Sequence, residues 1–269
     1  MVKYTRRLKD DPDLSLKAKA DSVPMYNTAF NREQFDSIYP PGIENHYWNH
    51  CRNRIIYDVL KKHSLLKSSI LEIGCGRGIV VDYLNSKKVT IEGCELAPVP
   101  IDKRLKGIVH TGTNAIGLPE VKRKKIEVIL LLDVIEHIEN PDAFLKEIIV
   151  AFQNAKHLII TVPACRELWS NYDEFNGHFR RYNKKMLSEH AENLTWNVKK
   201  CRYLYHALYL PARMLVKMKK QRNVILKAPH GFSLFIHKII SLLFFSEYKI
   251  IPGGIKGTSL LLYLYKPDQ

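Results

Sequence analysis

Three short stretches carry residue types suited to chemistry. The first is Glu72-Ile73-Gly74-Cys75-Gly76-Arg77-Gly78, with an apolar run before it and a helical pattern after it. Glycines in a strand-to-helix turn let the backbone come close to a ligand, because no Cβ intervenes. The helix N-terminus adds free N–H groups and a partial positive charge. The spacing is Gly-x-Gly-x-Gly, not the Gly-x-Gly-x-x-Gly of the dinucleotide fingerprint. The second is Glu95, 21 positions after Gly74 and at the end of the next apolar run. A carboxylate at that strand tip accepts hydrogen bonds from both hydroxyls of a ribose. The third is Leu131-Leu132-Asp133-Val134-Ile135-Glu136-His137, at the end of a later apolar run. Ligands of open α/β sheets bind at the carboxyl ends of the strands, where strand order reverses. Three strand tips would then meet at one edge, around a ligand that contains a nucleoside.

The tips need strands to hold them. Apolar runs over 69–73, 90–95, 107–111, 126–132 and 157–162 alternate with helical patterns. That alternation predicts a parallel sheet covered on both faces. Further strands are expected over 195–202 and 258–265. Tyr39-Pro40-Pro41-Gly42 reads as a turn. A helix is expected over 46–63, with Ile55, Ile56, Val59 and Leu60 on one face. Another starts at Pro141, capped by Asn140. Phe144, Leu145, Ile148, Ile149 and Phe152 form its apolar stripe.

The stretches ILEIGCGRG, GCEL and LLDVIEHIENP together resemble the class I methyltransferases that use S-adenosylmethionine (SAM). The resemblance runs from about Tyr39 to Tyr182, with the last strand added. It implies an α/β fold: a Rossmann-like, seven-stranded, mainly parallel sheet with helices on both faces and an antiparallel final strand. An N-terminal helical lid over 26–63 and a helical insertion over 203–250 would complete the 26–269 domain. The resemblance also assigns cofactor residues. Gly74, Gly76 and Gly78, with Cys75 between them, pass under SAM, and Glu72 organises the turn. Glu95 takes the ribose, with Leu96 beside the adenine. Asp133 and Val134 wall the methionine part. Many relatives place Asp after the glycine of the third loop. Here Thr111-Gly112-Thr113-Asn114 stands there, so Thr113 and Asn114 are the candidates for the adenine contact.

The stretch from Val162 to Tyr182 follows the fifth strand and so lies over the same edge. With PPGIENHYWNHCRNRII, it resembles a bacterial branch found in surface-glycan and lipid-linked sugar pathways. The resemblance implies a small-molecule or glycan acceptor. Methyl transfer mainly requires alignment of the reacting atoms. A hydroxyl acceptor gains a further ~10²–10⁴ from a base. His178 is the first candidate base, because histidine titrates near neutrality; His137 is second and Asp173 third. Arg180 and Arg181 suit a phosphate or carboxylate on the acceptor. Tyr47, Trp48, Trp169 and Tyr172 suit the pocket walls. No complete set of metal ligands is visible.

The composition narrows the partners. Lys+Arg total 42 against Asp+Glu 27, a net charge of +15, which favours anionic partners. The five cysteines are scattered and contain no C-x-x-C pair, as expected of a reducing cytoplasm. Residues 1–25 read as a flexible arm without a signal-peptide core. Residues 193–246 hold ten Lys or Arg and no Asp or Glu. One reading of 203–250 is a helical cap over the acceptor pocket; the other is peripheral contact with the inner face of the membrane. Other functions remain in competition. A quinone-type O-methyltransferase is close, since DVIEH is similar to the stretch found there. A nucleic-acid-binding protein or RNA methyltransferase would use the charge, but no nucleic-acid module or Asn/Asp-Pro-Pro-aromatic tetrapeptide is present. A nucleotide-dependent oxidoreductase conflicts with the glycine spacing.

Overall fold

Seven apolar runs pair into one sheet in the computed structural model, which describes residues 32–267. The chain begins with α1 (Arg32–Ile38), α2 (Tyr47–Lys62), β1 (Ile70–Ile73), α3 (Ile79–Ser86), β2 (Ile91–Glu95) and β3 (Val109–Thr111). It continues through the single turn α4 (Glu120–Arg123), β4 (Val128–Leu132), α5 (Pro141–Ala151), β5 (His157–Pro163) and α6 (Asn171–Phe175). The last elements are α7 (Lys184–Leu194), β6 (Asn197–Leu204), α8 (Tyr209–Lys217), α9 (Phe232–Ile250) and β7 (Ser259–Tyr265). The expected arm over 1–25 lies outside the described residues, as do residues 26–31 of the expected lid.

The sheet order is β3-β2-β1-β4-β5-β7-β6. Strands β1 to β5 run parallel to one another, and β7 runs antiparallel to both β5 and β6. The order reverses between β1 and β4, which sets the tips of β1, β2 and β4 around one crevice. Strands β1 and β4 are buried along their whole length. Covered on both faces, they read as unbroken apolar runs, not alternating ones. At the far edge, β6 begins with exposed Asn197, Val198 and Lys199; a charged lysine on the edge discourages further strand pairing.

Helices α5 and α7 pack one face of the sheet through Phe144, Leu145, Ile148, Leu187 and Leu194. Helices α2, α3 and α9 pack the other through Ile55, Val59, Val81, Leu84 and Tyr248. Asn140 caps α5 by accepting from the Ala143 N–H at 3.1 Å, with Pro141 in the first turn. Strand β3 starts two residues later than expected, because Gly107 turns the chain at φ +87°.

The segment between β6 and β7 differs from its sequence reading in two ways. Strand β6 runs through Leu204, so Tyr203 and Leu204 belong to the sheet core. The sequence from 232 to 245 is an almost wholly apolar run of 14 residues; helix α9 extends past it to Ile250, because its later residues find inward partners. Glu247 accepts from the N–H groups of His206 and Ala207 at 2.6 and 2.9 Å. The Tyr248 hydroxyl donates to Asp58 at 2.9 Å. Among the described residues, no helix is long and apolar enough to cross a membrane.

Candidate active site

A cavity of about 510 Å³ opens at the tips of β1, β2 and β4, beneath α1, α2 and α8. Its floor is the glycine turn. Gly74 (φ +75°) and Gly76 (φ +56°) both adopt left-handed backbone. A Cβ on Gly74 would come within 2.7 Å of Val134 Cγ2, and one on Gly76 within 2.5 Å of the Tyr39 hydroxyl. Only glycine fits such a close-packed turn. Glu95 braces the turn, accepting from the Gly76 N–H at 2.8 Å and the Ala97 N–H at 2.9 Å.

Asp133, also left-handed (φ +59°), sits where β4 breaks off. Strained backbone of this kind recurs at ligand sites. Its carboxylate accepts from Arg52 Nη1 at 3.1 Å and from the Thr161 hydroxyl at 3.2 Å. Arg52 comes from α2, and its Nε is buried with no partner among the described residues. The cavity therefore offers an acid at the β2 tip and a paired acid and base nearby. That set fits SAM, which carries a ribose at one end and an amino-acid zwitterion at the other.

Glu72 lies under the turn and is 3% exposed. Its Oε2 has no hydrogen-bond partner among the described residues. Burial, reinforced by Glu95 and Asp133 against the pull of Arg52, pushes its carboxyl up to about 8. A carboxyl raised in the folded state binds its proton more tightly there than in the unfolded chain. Its stabilisation is full below the unfolded pKa and is lost as pH rises through about 8. Glu72→Gln escapes that loss. Scanning calorimetry of the ligand-free protein should show E72Q gaining on wild type as pH rises from about 5 to about 8, by ~3 °C or more at the top. A gap that stays constant with pH would mean that Glu72 does not hold its proton in the folded state.

On the other side of the cavity, Asp173 is fully buried. It accepts from His178 Nδ1 at 2.9 Å, Arg181 Nε at 2.8 Å and the Ser170 N–H at 2.9 Å. Burial alone would raise its carboxyl; His178 and Arg181 outweigh it and hold the carboxyl below the usual range. The bond fixes the His178 ring at the cavity wall. The His137 ring lies 4.7 Å away, edge-on. Burial and His178 push His137 down to about 3. Glu136, His137 and His178 bring three ligand atoms within 4.8 Å of one another, a cluster hidden by sequence distance. Burial, with Asp133 nearby, raises the Glu136 carboxyl well above the carboxylate range.

Most of the sequence-predicted residues meet here. Gly74, Glu95, Leu96, Thr113, Asn114, Asp133, Val134, His137, His178, Tyr47, Trp48, Tyr172 and Arg181 line the cavity. Glu72, Cys75, Gly76, Gly78 and Asp173 are not among the lining residues. Trp169 and Arg180 are turned elsewhere. The Trp169 indole N–H donates to Glu174 at 3.4 Å, and Arg180 donates to the Glu139 carbonyl at 2.7 Å. Arg181 is committed to Asp173 and, at 3.1 Å, to the Ala164 carbonyl. Sequence reasoning missed Arg52, Tyr39, Asn176 and Arg222. Arg222 reaches the cavity over the Tyr172 ring, 4.9 Å from its centroid. A reciprocal pair of bonds with Asn171, at 2.8 and 2.9 Å, anchors its backbone.

The sequence profile of a family described as "Methyltransferase domain" matches residues 46–200, more than half of the chain. The chain belongs to this family of methyltransferase domains. A ubiquinone biosynthesis O-methyltransferase of Rickettsia typhi is 28% identical over 114 residues, 39% of this chain. The match spans only 45% of that relative's own length. Two solved structures share the fold at a TM-score of 0.50. One is a putative sarcosine dimethylglycine methyltransferase from Galdieria sulphuraria, 11% identical, covering 81% of this chain and 86% of its own. The other is phosphoethanolamine N-methyltransferase 2 of Haemonchus contortus, solved with phosphomonomethylethanolamine and S-adenosylhomocysteine (SAH). It is 14% identical and covers 80% of this chain and 53% of its own.

Proposed function

We propose that the chain methylates a hydroxyl group on a small-molecule, glycan or lipid-linked sugar acceptor. SAM, when bound, supplies a methyl group on a sulfonium, ready for in-line displacement. Glu95, Thr113 and Asn114 hold the nucleoside end; Arg52 and Asp133 hold the amino-acid end. His178 takes the acceptor proton at Nε2, while Asp173 keeps the other ring nitrogen protonated and the ring in place. The observation that carries this reading is the Asp173–His178 pair, 2.9 Å apart, with the imidazole at the cavity wall. Arg222 takes the anion-binding role expected of Arg180, since its guanidinium reaches the cavity. On this reading the chain acts in the cytoplasm, in surface-polysaccharide synthesis.

A second reading, a quinone-type O-methyltransferase, has one observation in its favour: the 28% identical stretch shared with the Rickettsia typhi enzyme. SAH release distinguishes the readings when a sugar phosphate, a polyprenyl-linked sugar, a catechol-type quinol, a primary amine and an RNA oligonucleotide are each offered with SAM. Turnover on the sugars supports the first reading, and turnover on the quinol alone moves the assignment to the second. Turnover confined to the amine or the RNA overturns both.

A further inference from the structure

Helix α9 spans ~28 Å at the usual rise and turns only one side inward. His237, Ser241, Phe244 and Tyr248 face α2 and its neighbours; Tyr47, for instance, donates its N–H to His237 at 3.1 Å and stacks on Phe244. The opposite side is an apolar stripe in water. Phe232, Phe235, Ile236 and Ile239 begin it, and Leu242, Leu243 and Ile250 extend it along the helix. Phe232 is 76% exposed, Leu243 64% and Ile250 79%, so these side chains are not the margin of a core. Helix α8 adds Leu210 and Met214, and Met218 follows at its end, all exposed. Single exposed apolar residues are ordinary on a protein surface, whereas a continuous stripe marks an interaction surface.

Apart from Glu247, every charged residue from α8 to the end of α9 is basic. Lys217 ends α8, Lys219 and Lys220 follow it, and Lys238 flanks the apolar side of α9, while Lys249 is held by Asp58 of α2. Glu247 is the only acid of α9, and it is spent on two backbone N–H groups of the segment before α8. An apolar stripe edged with long basic side chains matches an anionic bilayer: the stripe enters the acyl boundary and the lysines reach the headgroups. Helix α8 also reaches inward, because Pro211, Ala212 and Leu215 line the cavity. Leu215 is 39% exposed as well, so the cavity wall and the outer apolar face meet at this residue.

We infer that the outer face of α8 and α9 docks on an anionic lipid bilayer and sets the mouth of the cavity against it. Docking itself does not depend on methyl transfer. The consequence that a lipid-tailed acceptor enters past α8 rests on the function proposed above.

The test is co-sedimentation of the full chain with vesicles of phosphatidylcholine, with and without phosphatidylglycerol, in low and high salt. The chain should sediment with the anionic vesicles, less so in high salt. Phe235→Ser combined with Leu243→Ser should weaken partitioning tenfold or more. Lys217→Gln, Lys219→Gln and Lys220→Gln together should erase the preference for phosphatidylglycerol. Both variants should keep the wild-type melting temperature and SAH affinity, because the altered side chains face solvent. Failure of wild type to sediment with anionic vesicles overturns the inference. So does equal binding by both variants, or a dimer in sedimentation velocity that F235S/L243S dissociates. Loss of SAH binding in a chain that still sediments would defeat the proposed function and leave docking intact.

Discussion

His178→Asn should lower kcat for a hydroxylated acceptor by ~10²–10⁴, the usual contribution of a general base, and leave SAH affinity within about twofold. His178 holds Asp173 through Nδ1 at 2.9 Å. That bond assigns the proton to Nδ1 and leaves Nε2 as the basic lone pair. Asparagine can still meet Asp173 but offers no basic nitrogen. Asp173 would keep its bonds from Arg181 and Ser170, so the loop need not collapse. His137, 4.7 Å away, is a poor substitute: pushed down to about 3, it stays neutral and is too weak a base. A variant with undiminished kcat would reduce His178 to a packing residue and leave the acceptor to ionise unaided.

The sequence revealed what local physics dictates. Strands β1 and β4 stand out because burial on both faces demands unbroken apolar runs. The glycine turn stands out because Gly74 and Gly76 occupy backbone that other residues resist. Glu95 and Asp133 follow from strand tips, whose positions are fixed once the strands are. Asp173 and His178 lie five residues apart and share one loop, so proximity in sequence sufficed to flag both. What remained hidden depends on long-range packing. Arg52 meets Asp133 across 81 positions, and on its helix it reads as one more basic residue. Arg222 was indistinguishable within a basic run until its bonds with Asn171 placed it at the cavity. Arg180 and Trp169 are of the right types in the right loop, yet nearby acceptors turn them away. The α9 apolar run told of burial or an interface without telling which; only the packing of α9 on α2 shows which side is left in water.

Glu95→Ala should weaken SAH binding by ~100-fold or more. The carboxylate has two connected tasks. It accepts from the N–H groups of Gly76 and Ala97, which ties the glycine turn to the tip of β2. It also lines the cavity at the position proposed for the ribose. A hydrogen bond to a charged group contributes ~1.5–3 kcal/mol, and ~1.4 kcal/mol is tenfold in affinity. Loss of the ribose contacts would account for ~100-fold, before any loosening of the turn. Titration calorimetry with SAM, SAH and NAD makes the comparison, and wild type should bind the first two and not the third. Glu95→Gln separates the two tasks. Its amide oxygen can serve one backbone N–H, while its NH₂ faces the other donor, so the turn should loosen and affinity should fall between those of wild type and alanine. If alanine binds SAH as well as wild type does, the carboxylate only closes the turn. The nucleoside contact would then pass to Thr113 and Asn114, where the chain already departs from the pattern of its relatives.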